Sequence, residues 1–436
     1  MSAQSISLAV LTALALTTPA LAQDVQVAPL AAPDFFSAGA RDTGLGADLW
    51  RGASGQTARA VLPLLAAKPL SPAAQALARR VLATGASGPE SAGQDPAVAG
   101  ARVAALIAQG GVKDAAVILS RTAGLEQNPV LAQAGAEAAL LSGDDEGACA
   151  VSDRLVAGRE EVYWLRLRAY CQLKAGNSGA AQLTFDLAQS QGRDAIYGRL
   201  MGAKLAGAGD PGAPSLRNGL DYALSRNLGL PVTGAAAPAV AAALAASPAV
   251  SATWTLEGGP GPVKAAMAAL AAGDLATAQT MRAGLTSDTI PGATVTDLAL
   301  LDAMLAAASG KADPQTLDRL IERGATADAK TRVRAQQAAL ILAALGGPMS
   351  PQARGQFAGF TAGDAKAPAA RAFALDIAGA ETLQGETALV ALWISADAGA
   401  AGPAAGDRAR IIRALKAAGL EEDARAFAVE GLLALR

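Results

Sequence analysis

The stretch LKAGNSGAA, residues 173–181, contains the pattern that decides the fold. Its Gly176 is followed five residues later by Ala181. The same pair recurs at intervals of 33 residues, at Gly110 with Ala115 and at Gly143 with Ala148, and Gly209 occupies the glycine position of the next interval. An interval of this length matches one helical hairpin with its turns. The pattern therefore predicts stacked helical hairpins, and Gly273 with Ala278 and Gly419 with Ala424 repeat it further along.

The composition indicates an all-α protein. Hydrophobic residues make up 52% of the 436 residues, but aromatic residues make up only 3%, so most of the apolar content is alanine and leucine. Alanine is the best helix former and loses no rotamer freedom on folding. The length favours two units or one extended array over a single core. We therefore expect an all-α fold, an antiparallel helical-hairpin solenoid in two segments.

The charged residues exclude several classes of function. The formal net charge is −2 and the basic residues are scattered, so a phosphate backbone has no complementary basic surface to bind. The chain has no histidine, which removes imidazole bases, histidine-activated nucleophiles and histidine-ligated metals. We expect no nucleic-acid partner, no cofactor, no metal and no catalytic residue.

The first residues predict export from the cytoplasm. An apolar run from Ile6 to Leu16 ends before Pro19, and Ala20-Leu21-Ala22 has the small-x-small form of a cleavage site. We expect a signal peptide over 1–22 and a periplasmic protein of a Gram-negative bacterium; the alternative is a buried or membrane-anchoring helix. The uncharged stretch 231–256 contains three prolines, so we expect no integral membrane segment after signal cleavage.

Punctuating residues predict the organisation of the rest. Residues 23–55 are rich in Pro, Gly and Ala and are expected to form a disordered leader. Helical repeats are expected over 56–230, an Ala/Pro/Gly linker over 231–260, and a second helical-hairpin array over 261–436. A capping residue precedes proline at five expected helix starts, Ser71-Pro72, Asp95-Pro96, Asn128-Pro129, Asp313-Pro314 and Ser350-Pro351. Helix ends with a left-handed residue are expected at Gly85, Gly110, Gly143, Gly176, Gly273, Gly310, Gly346 and Gly419.

One hairpin resembles a known family. Trp164 and Leu167, three residues apart, are followed by Ala181 and Phe185, and this resembles the tetratricopeptide repeat. The family places the first pair on the first helix of a hairpin and the second pair on the second helix. The match is degenerate, since Arg168 stands where the family has glycine. The resemblance implies a helical solenoid that binds protein or peptide partners.

The two cysteines are expected to form a disulfide. Cys149 and Cys171 lie at equal distances from the turn at Gly158 to Glu160. Two such residues face each other across an antiparallel pair of helices, and an oxidising compartment permits the bond. Two free structural thiols and a redox-active pair are the alternatives.

Other candidate sites have structural explanations. Gly207, Gly209 and Gly212 match a dinucleotide-binding string, but they are expected to follow a helix instead of a strand. Acidic clusters at 144–146, 160–161 and 421–423 are expected in the first turns of helices, where negative charge is favoured. Glu90-Ser91 is similar to the Glu-Ser of lytic transglycosylases but lies in an expected loop. The aromatic group is expected to form a repeat core or a partner-binding platform, and it comprises Tyr163, Trp164, Tyr170 and Phe185.

These observations predict a non-enzymatic periplasmic scaffold that binds a protein or peptide partner of the cell envelope. In general layout the chain is similar to periplasmic accessory proteins of envelope machines, including motility proteins that contact the flagellar stator. One alternative is a cell-wall (murein) hydrolase using a carboxylate pair drawn from Glu90, Glu146 and Glu161. Another is a passive structural protein. The sequence leaves the oligomeric state open.

Overall fold

The computed structural model describes residues 34–232, 236, 239–240, 261–285, 294–311 and 313–435. Within these residues the chain contains twenty complete α-helices and no strand, which confirms the all-α prediction. The first ten helices are α1 (Gly55–Ala67), α2 (Pro72–Ala83), α3 (Pro96–Ala108), α4 (Val112–Ser120), α5 (Pro129–Ser142), α6 (Asp145–Arg154), α7 (Val162–Lys174), α8 (Ser178–Gln191), α9 (Ala195–Ala206) and α10 (Gly219–Asn227). The others are α11 (Pro262–Ala271), α12 (Leu275–Ala283), α13 (Val295–Ser309), α14 (Pro314–Thr326), α15 (Ala329–Ala344), α16 (Pro351–Ala358), α17 (Ala369–Ala380), α18 (Gln384–Ala398), α19 (Ala405–Ala417) and α20 (Glu421–Leu433).

All five helix starts predicted from a capping residue before proline are confirmed. At four of them, Asp95, Asn128, Asp313 and Ser350, the side chain accepts hydrogen bonds from the first-turn amides. Ser71 makes no such bond. The Glu430 carboxylate of α20 instead accepts the Ala73 N–H of α2 at 2.7 Å. A distant helix therefore supplies the cap that the sequence assigned to the local serine.

The glycine–alanine pairs form one recurring hairpin turn. At the quoted stretch, Gly176 has a φ of +80°, its N–H donates to the Leu173 carbonyl, and the Asn177 N–H donates to the Gln172 carbonyl. These two hydrogen bonds define the Schellman motif. Asn177 then begins the next helix directly, and Ala181 is fully buried in the first turn of that helix. The turns at Gly110, Gly143, Gly273 and Gly419 have the same two bonds, and Ala115, Ala148, Ala278 and Ala424 are equally buried.

Seven of the eight predicted left-handed glycines have a positive φ, and Gly85 is the exception. Helix α2 ends in an extended residue, Thr84, so no left-handed turn is needed there. A Cβ at Gly85 would lie 2.6 Å from the Gly39 backbone nitrogen. Close approach of two backbone segments, rather than a helix reversal, therefore requires this glycine.

The buried residues form two hydrophobic cores. The first core lies between helices α1 to α5 and α11 to α20. The second core lies between α5 and α10. Helix α5 contributes residues to both cores. Leu131 and Leu141 belong to the first core, and Ala136 and Leu140 belong to the second.

The helices of the two predicted segments contact each other. The sequence predicted the segments 56–230 and 261–436 and left open how they pack together; in the structure α1 packs against α18, and α2 packs against α18 and α20. In a linear array of hairpins each unit contacts only its neighbours. Here the first two helices also contact the last ones, and the apolar residues of both ends share the first core.

The prediction of a disordered leader over 23–55 is wrong for the part that the structure describes. Phe36 and Trp50 are buried, and their rings meet edge to face with centroids 5.7 Å apart. The buried Arg102 of α3 donates hydrogen bonds to the backbone carbonyls of Phe36, Ala38, Leu82 and Thr84. The Arg102 guanidinium thus holds the irregular segment that contains Phe36 and Ala38. The sequence did not predict this ordered segment because the segment lacks periodic apolar residues.

Two other predictions fall mostly outside the described residues. The signal peptide over 1–22 lies outside them, as does most of the linker over 231–260. Val240, within that expected linker, is helical and fully buried in the first core. Among the described helices, none has both the length and the apolar character needed to cross a bilayer.

The disulfide prediction is confirmed. Cys149 of α6 and Cys171 of α7 are bonded, with their Cα atoms 5.5 Å apart. The turn between the two helices contains Gly158, which has a φ of +67°. The bond links α6 to α7 within the second core.

Candidate functional site

The aromatic residues singled out in the sequence lie in the second core. Trp164 and Tyr170 are fully buried. The ring of Tyr163 meets that of Trp164 edge to face at 5.1 Å, and the ring of Phe185 lies 5.9 Å from that of Tyr197. The structure thus places these side chains as packing groups between α7, α8 and α9. They do not form an open platform.

The polar end of this group anchors helix α10. The Tyr163 hydroxyl donates to the Glu137 carboxylate at 2.9 Å, and the Gly219 N–H donates to the other carboxylate oxygen. Burial raises the pKa of Glu137, and burial beside Glu137 raises the pKa of Tyr163. Glu137 therefore acts as a long-range cap for α10.

The first acidic cluster does lie at a helix start, as predicted, but one of its members is buried. Asp145 accepts hydrogen bonds from Lys174, Arg226 and Asn227. Burial alone would raise its pKa, but the hydrogen bonds from Asn227 and Lys174 hold the pKa below the ordinary value. This carboxylate joins three helices and is fully engaged.

The carboxylates proposed for a hydrolase are exposed. Glu146 and Glu161 lie at the starts of α6 and α7, and Glu90 lies in a loop. A general acid needs a carboxyl whose surroundings favour its protonated form. Among the described residues, no group of three or more His, Cys, Asp or Glu side chains is arranged to hold a metal ion.

The glycine string at 207–212 has the context expected of a loop. Gly207 ends α9 in the left-handed conformation, so the string follows a helix. A cleft of about 550 Å³ lies against the next residues, including Ser215 and Arg217. Its Arg217 is already paired with Asp194 and Asp221. Arg199 also lines the cleft and donates to the Ala213 carbonyl at 2.7 Å, so the cleft offers a single basic side chain beyond the paired Arg217.

A cleft of about 620 Å³ is the better candidate. It lies between the hairpin of α14 with α15 and the loop that follows α16. The side chains that matter for recognition are Arg332, Val333, Gln336, Gln337, Gln356, Phe360 and Asp364. None of them was predicted from the sequence to be a site residue.

The Gln336 side chain connects two sides of the cleft by hydrogen bonds. Its side-chain amide donates to the Gly324 carbonyl at 2.9 Å, and its carbonyl oxygen accepts the Ala362 N–H at 3.2 Å. One buried side chain thus joins the end of α14 to the loop. The Phe360 ring lies against Gly324, where an added Cβ would be 2.7 Å from the ring. The wall of the cleft is therefore fixed before any ligand arrives.

The open side of the cleft has mixed chemistry. Gln337 and Gln356 are half-buried, and each amide offers both a donor and an acceptor. Arg332 and Asp364 are exposed and carry opposite charges. Val333 is 45% exposed and adds an apolar surface. The local signal in the sequence was the Gln336-Gln337 pair, which separates the polar first half of α15 from the apolar run 338–344.

These features define an all-α protein made of tight helical hairpins, with an amide-lined cleft on one of them. Comparisons with protein-family models, with curated proteins and with solved structures found no match.

Proposed function

We propose that the protein is a non-enzymatic periplasmic scaffold whose tetratricopeptide-like hairpins bind a protein partner, and that the cleft holds an extended segment of that partner. The observation that carries the proposal is the pair of half-buried amides, Gln337 and Gln356, beside a preformed wall. An extended peptide has unpaired backbone donors and acceptors that such amides satisfy.

The other lining groups suit a peptide side chain. Phe360 and Val333 offer apolar contact, while Arg332 and Asp364 offer one charge of each sign. Because Gln336 already fixes the loop, binding would not have to order it, and this preorganisation favours affinity.

The proposed compartment is the periplasm, reached through the signal peptide. The disulfide supports an oxidising environment, because such bonds form and persist there. Cell fractionation followed by mass spectrometry of the intact protein tests this. We expect a periplasmic protein that begins at Gln23; a cytosolic protein that keeps residues 1–22 would contradict it.

The hydrolase alternative has less support, because its three carboxylates are exposed and lie at helix starts or in a loop. A murein-digestion assay on the purified protein tests it. We expect no release of soluble fragments. Activity that is lost on Glu90→Gln, Glu146→Gln or Glu161→Gln would overturn the scaffold proposal.

Site-specific crosslinking in cells tests the cleft. A photo-reactive benzoylphenylalanine at position 333 should give one dominant adduct, whose identity shows whether the partner belongs to an envelope machine such as the flagellar motor. The same group at position 183, which is 74% exposed on α8, is the control and should not give that adduct. Combining the probe at 333 with Gln337→Ala and Gln356→Ala should remove most of it. No adduct, as expected of a passive structural protein, would contradict the proposal.

A further inference from the structure

Helix α17 carries an apolar face that the fold leaves open. Phe373 is 63% exposed and Ile377 is 56% exposed, and they lie one turn apart. Ala370, Ala374 and Ala380 lie on the same side of the helix and are also exposed. We call these five residues the α17 face.

The helix itself is firmly held by its opposite side. Leu375 and Ala378 are buried, and α17 packs against both α18 and α19. The α17 face is therefore not needed to cover the first core. An exposed pair of large apolar side chains surrounded by alanine on a well-packed helix is typical of an interaction site.

Basic side chains lie along both edges of the α17 face. Toward α19, Asp376 is shared by Arg410 at 3.1 Å and Arg413 at 2.9 Å, and Arg413 remains 65% exposed. Two guanidinium groups share one carboxylate here, so this edge has one more basic than acidic side chain.

The edge toward α18 has the same arrangement. Asp397 is shared by Arg371 and Lys68, and the Lys68 contact is 2.9 Å. The Arg371 guanidinium also stacks over the Trp393 ring, 4.2 Å from its centroid. Two cations again share one carboxylate. Glu381, which follows the last turn of α17, adds an acidic side chain at the end of the face.

We propose that the α17 face binds an amphipathic helix of a protein partner, with an apolar stripe that packs on Phe373 and Ile377 and with carboxylates along its edges. The carboxylates would lie beside the excess positive charge of the two edges. This surface is separate from the cleft and adds a second contact to the proposed function.

The shape of the face favours a helix as the occupant. Small residues at 370, 374 and 380 let another helix axis approach closely, while Phe373 and Ile377 project into its grooves. A lipid surface fits less well, because stable membrane attachment needs a wider apolar face or more net positive charge than about two units. A second copy fits less well, since one helix face is smaller than the roughly 800 Å² per partner of a stable interface.

Fluorescence anisotropy with two synthetic helical peptides tests the proposal on the full mature chain. Both peptides have 18 residues and the same leucine stripe, and their edges carry either glutamate or lysine. We expect the glutamate peptide to bind at least tenfold more tightly than the lysine peptide. The double variant Phe373→Ser with Ile377→Ser should weaken its binding at least tenfold.

A matched control comes from α8. Leu183 and Leu187 are also exposed and one turn apart, but the neighbouring polar pair on that helix is Gln182 with Asp186 instead of excess cations. Leu183→Ser with Leu187→Ser should leave the peptide affinity unchanged. The charge reversal Arg413→Glu should weaken binding of the glutamate peptide about threefold to tenfold.

Several results would overturn the proposal. Equal binding of both peptides, or equal loss in the α8 control, would show that the contact is not specific to the α17 face. Cosedimentation with phosphatidylglycerol vesicles that is lost in the Phe373→Ser and Ile377→Ser variant would assign the face to lipid. A dimer of the native chain that dissociates in that variant would assign it to a second copy.

Discussion

The two cores solve the problem of stability in different ways. The first core joins helices that are up to several hundred residues apart, and polar contacts link them, such as the ion pair of Arg80 with Asp423 and the Ala73 N–H that donates to the Glu430 carboxylate. The second core joins helices that follow one another in the chain, and it has a disulfide and most of the tyrosines. Buried carboxylates thus join distant helices in both cores, as Glu430 does in the first and Asp145 in the second, whereas the disulfide and most of the tyrosine packing belong to the second core.

The largest expected effect concerns the buried ion pair of Arg408 with Glu430 in the first core. Arg408→Leu leaves the Glu430 carboxylate buried without its cationic partner, and breaking such a pair costs about 3–5 kcal/mol. Urea unfolding followed by circular dichroism measures the change. Lys174→Met in the second core is the comparison, because Asp145 keeps Arg226 and Asn227. A partly exposed pair contributes about 1 kcal/mol or less, so equal losses in the two variants would contradict this distinction.

The next effect should be confined to the second core. Cys149→Ser with Cys171→Ser opens a loop of 22 residues and should lower the free energy of unfolding by about 3 kcal/mol. With Trp50, Trp254 and Trp393 replaced by phenylalanine in all the proteins compared, the fluorescence of Trp164 reports this core. Unfolding of the reduced native protein should match that of the double variant. An unchanged Trp164 transition after reduction would show that the disulfide does not stabilise the local array.

The pH dependence of the free energy of unfolding should reveal the contact between Arg80 of α2 and Asp423 of α20. Burial raises the pKa of Asp423 to about 6, although Arg80 opposes this, and the charge of Glu422 adds to it. The pKa of Asp423 is higher in the folded than in the unfolded protein, so its protonated form stabilises the fold. This contribution to the free energy of unfolding is complete below the unfolded pKa and is lost as pH rises through 6. The free energy of unfolding should therefore fall by about 1 kcal/mol between pH 5 and pH 7.5.

Asp423→Asn provides the control for this dependence. The variant should show a flatter profile over the same pH range. Glu137 in the second core, whose pKa burial also raises, should leave a small slope of the same sign. The carboxyls of Asp95, Asp194 and Asp397 have lowered pKa values and titrate in more acid solution. A native profile as flat as that of Asp423→Asn would contradict the prediction.

The smallest expected changes in stability come from two hairpin turns, the one at Gly176 in the second core and the one at Thr382 in the first. Gly176 has a φ of +80°, and no atom lies within 4 Å of the position that a Cβ would occupy, so Gly176→Ala should cost about 1 kcal/mol through backbone strain alone. Thr382 occupies the equivalent position before α18 with a φ of +57°. Thr382→Gly should therefore stabilise the protein by about 0.5 kcal/mol, since a β-branched residue is strained there. Thermal unfolding measures both changes, and effects of the same sign would be contradictory.

Much of the local structure could be predicted from the sequence. The five capping residues before proline began helices, and the glycine–alanine pairs formed tight turns, because both signals act within about one turn of helix. The disulfide followed from the same reasoning, since two residues at equal distances from a turn face each other. The turn at Thr382 was missed because threonine rarely adopts a left-handed conformation.

The candidate cleft could not be predicted. Gln336 contacts Gly324 and Ala362, which are 12 and 26 residues away, and nothing in the local pattern links them. The exposure of Phe373 and Ile377 was equally hidden, because an apolar residue on a helix is expected in the core until its neighbours are known.

The sequence by itself determined the helices, their turns and the disulfide, because these depend on backbone conformation and on residues within one hairpin. The tertiary structure alone decided that α1 and α2 close onto α18 and α20, and that Arg102 holds the segment after residue 34. It also decided which apolar side chains stay open to a partner. These outcomes depend on burying large surfaces and isolated charges between residues far apart in the chain, and no local pattern encodes that balance.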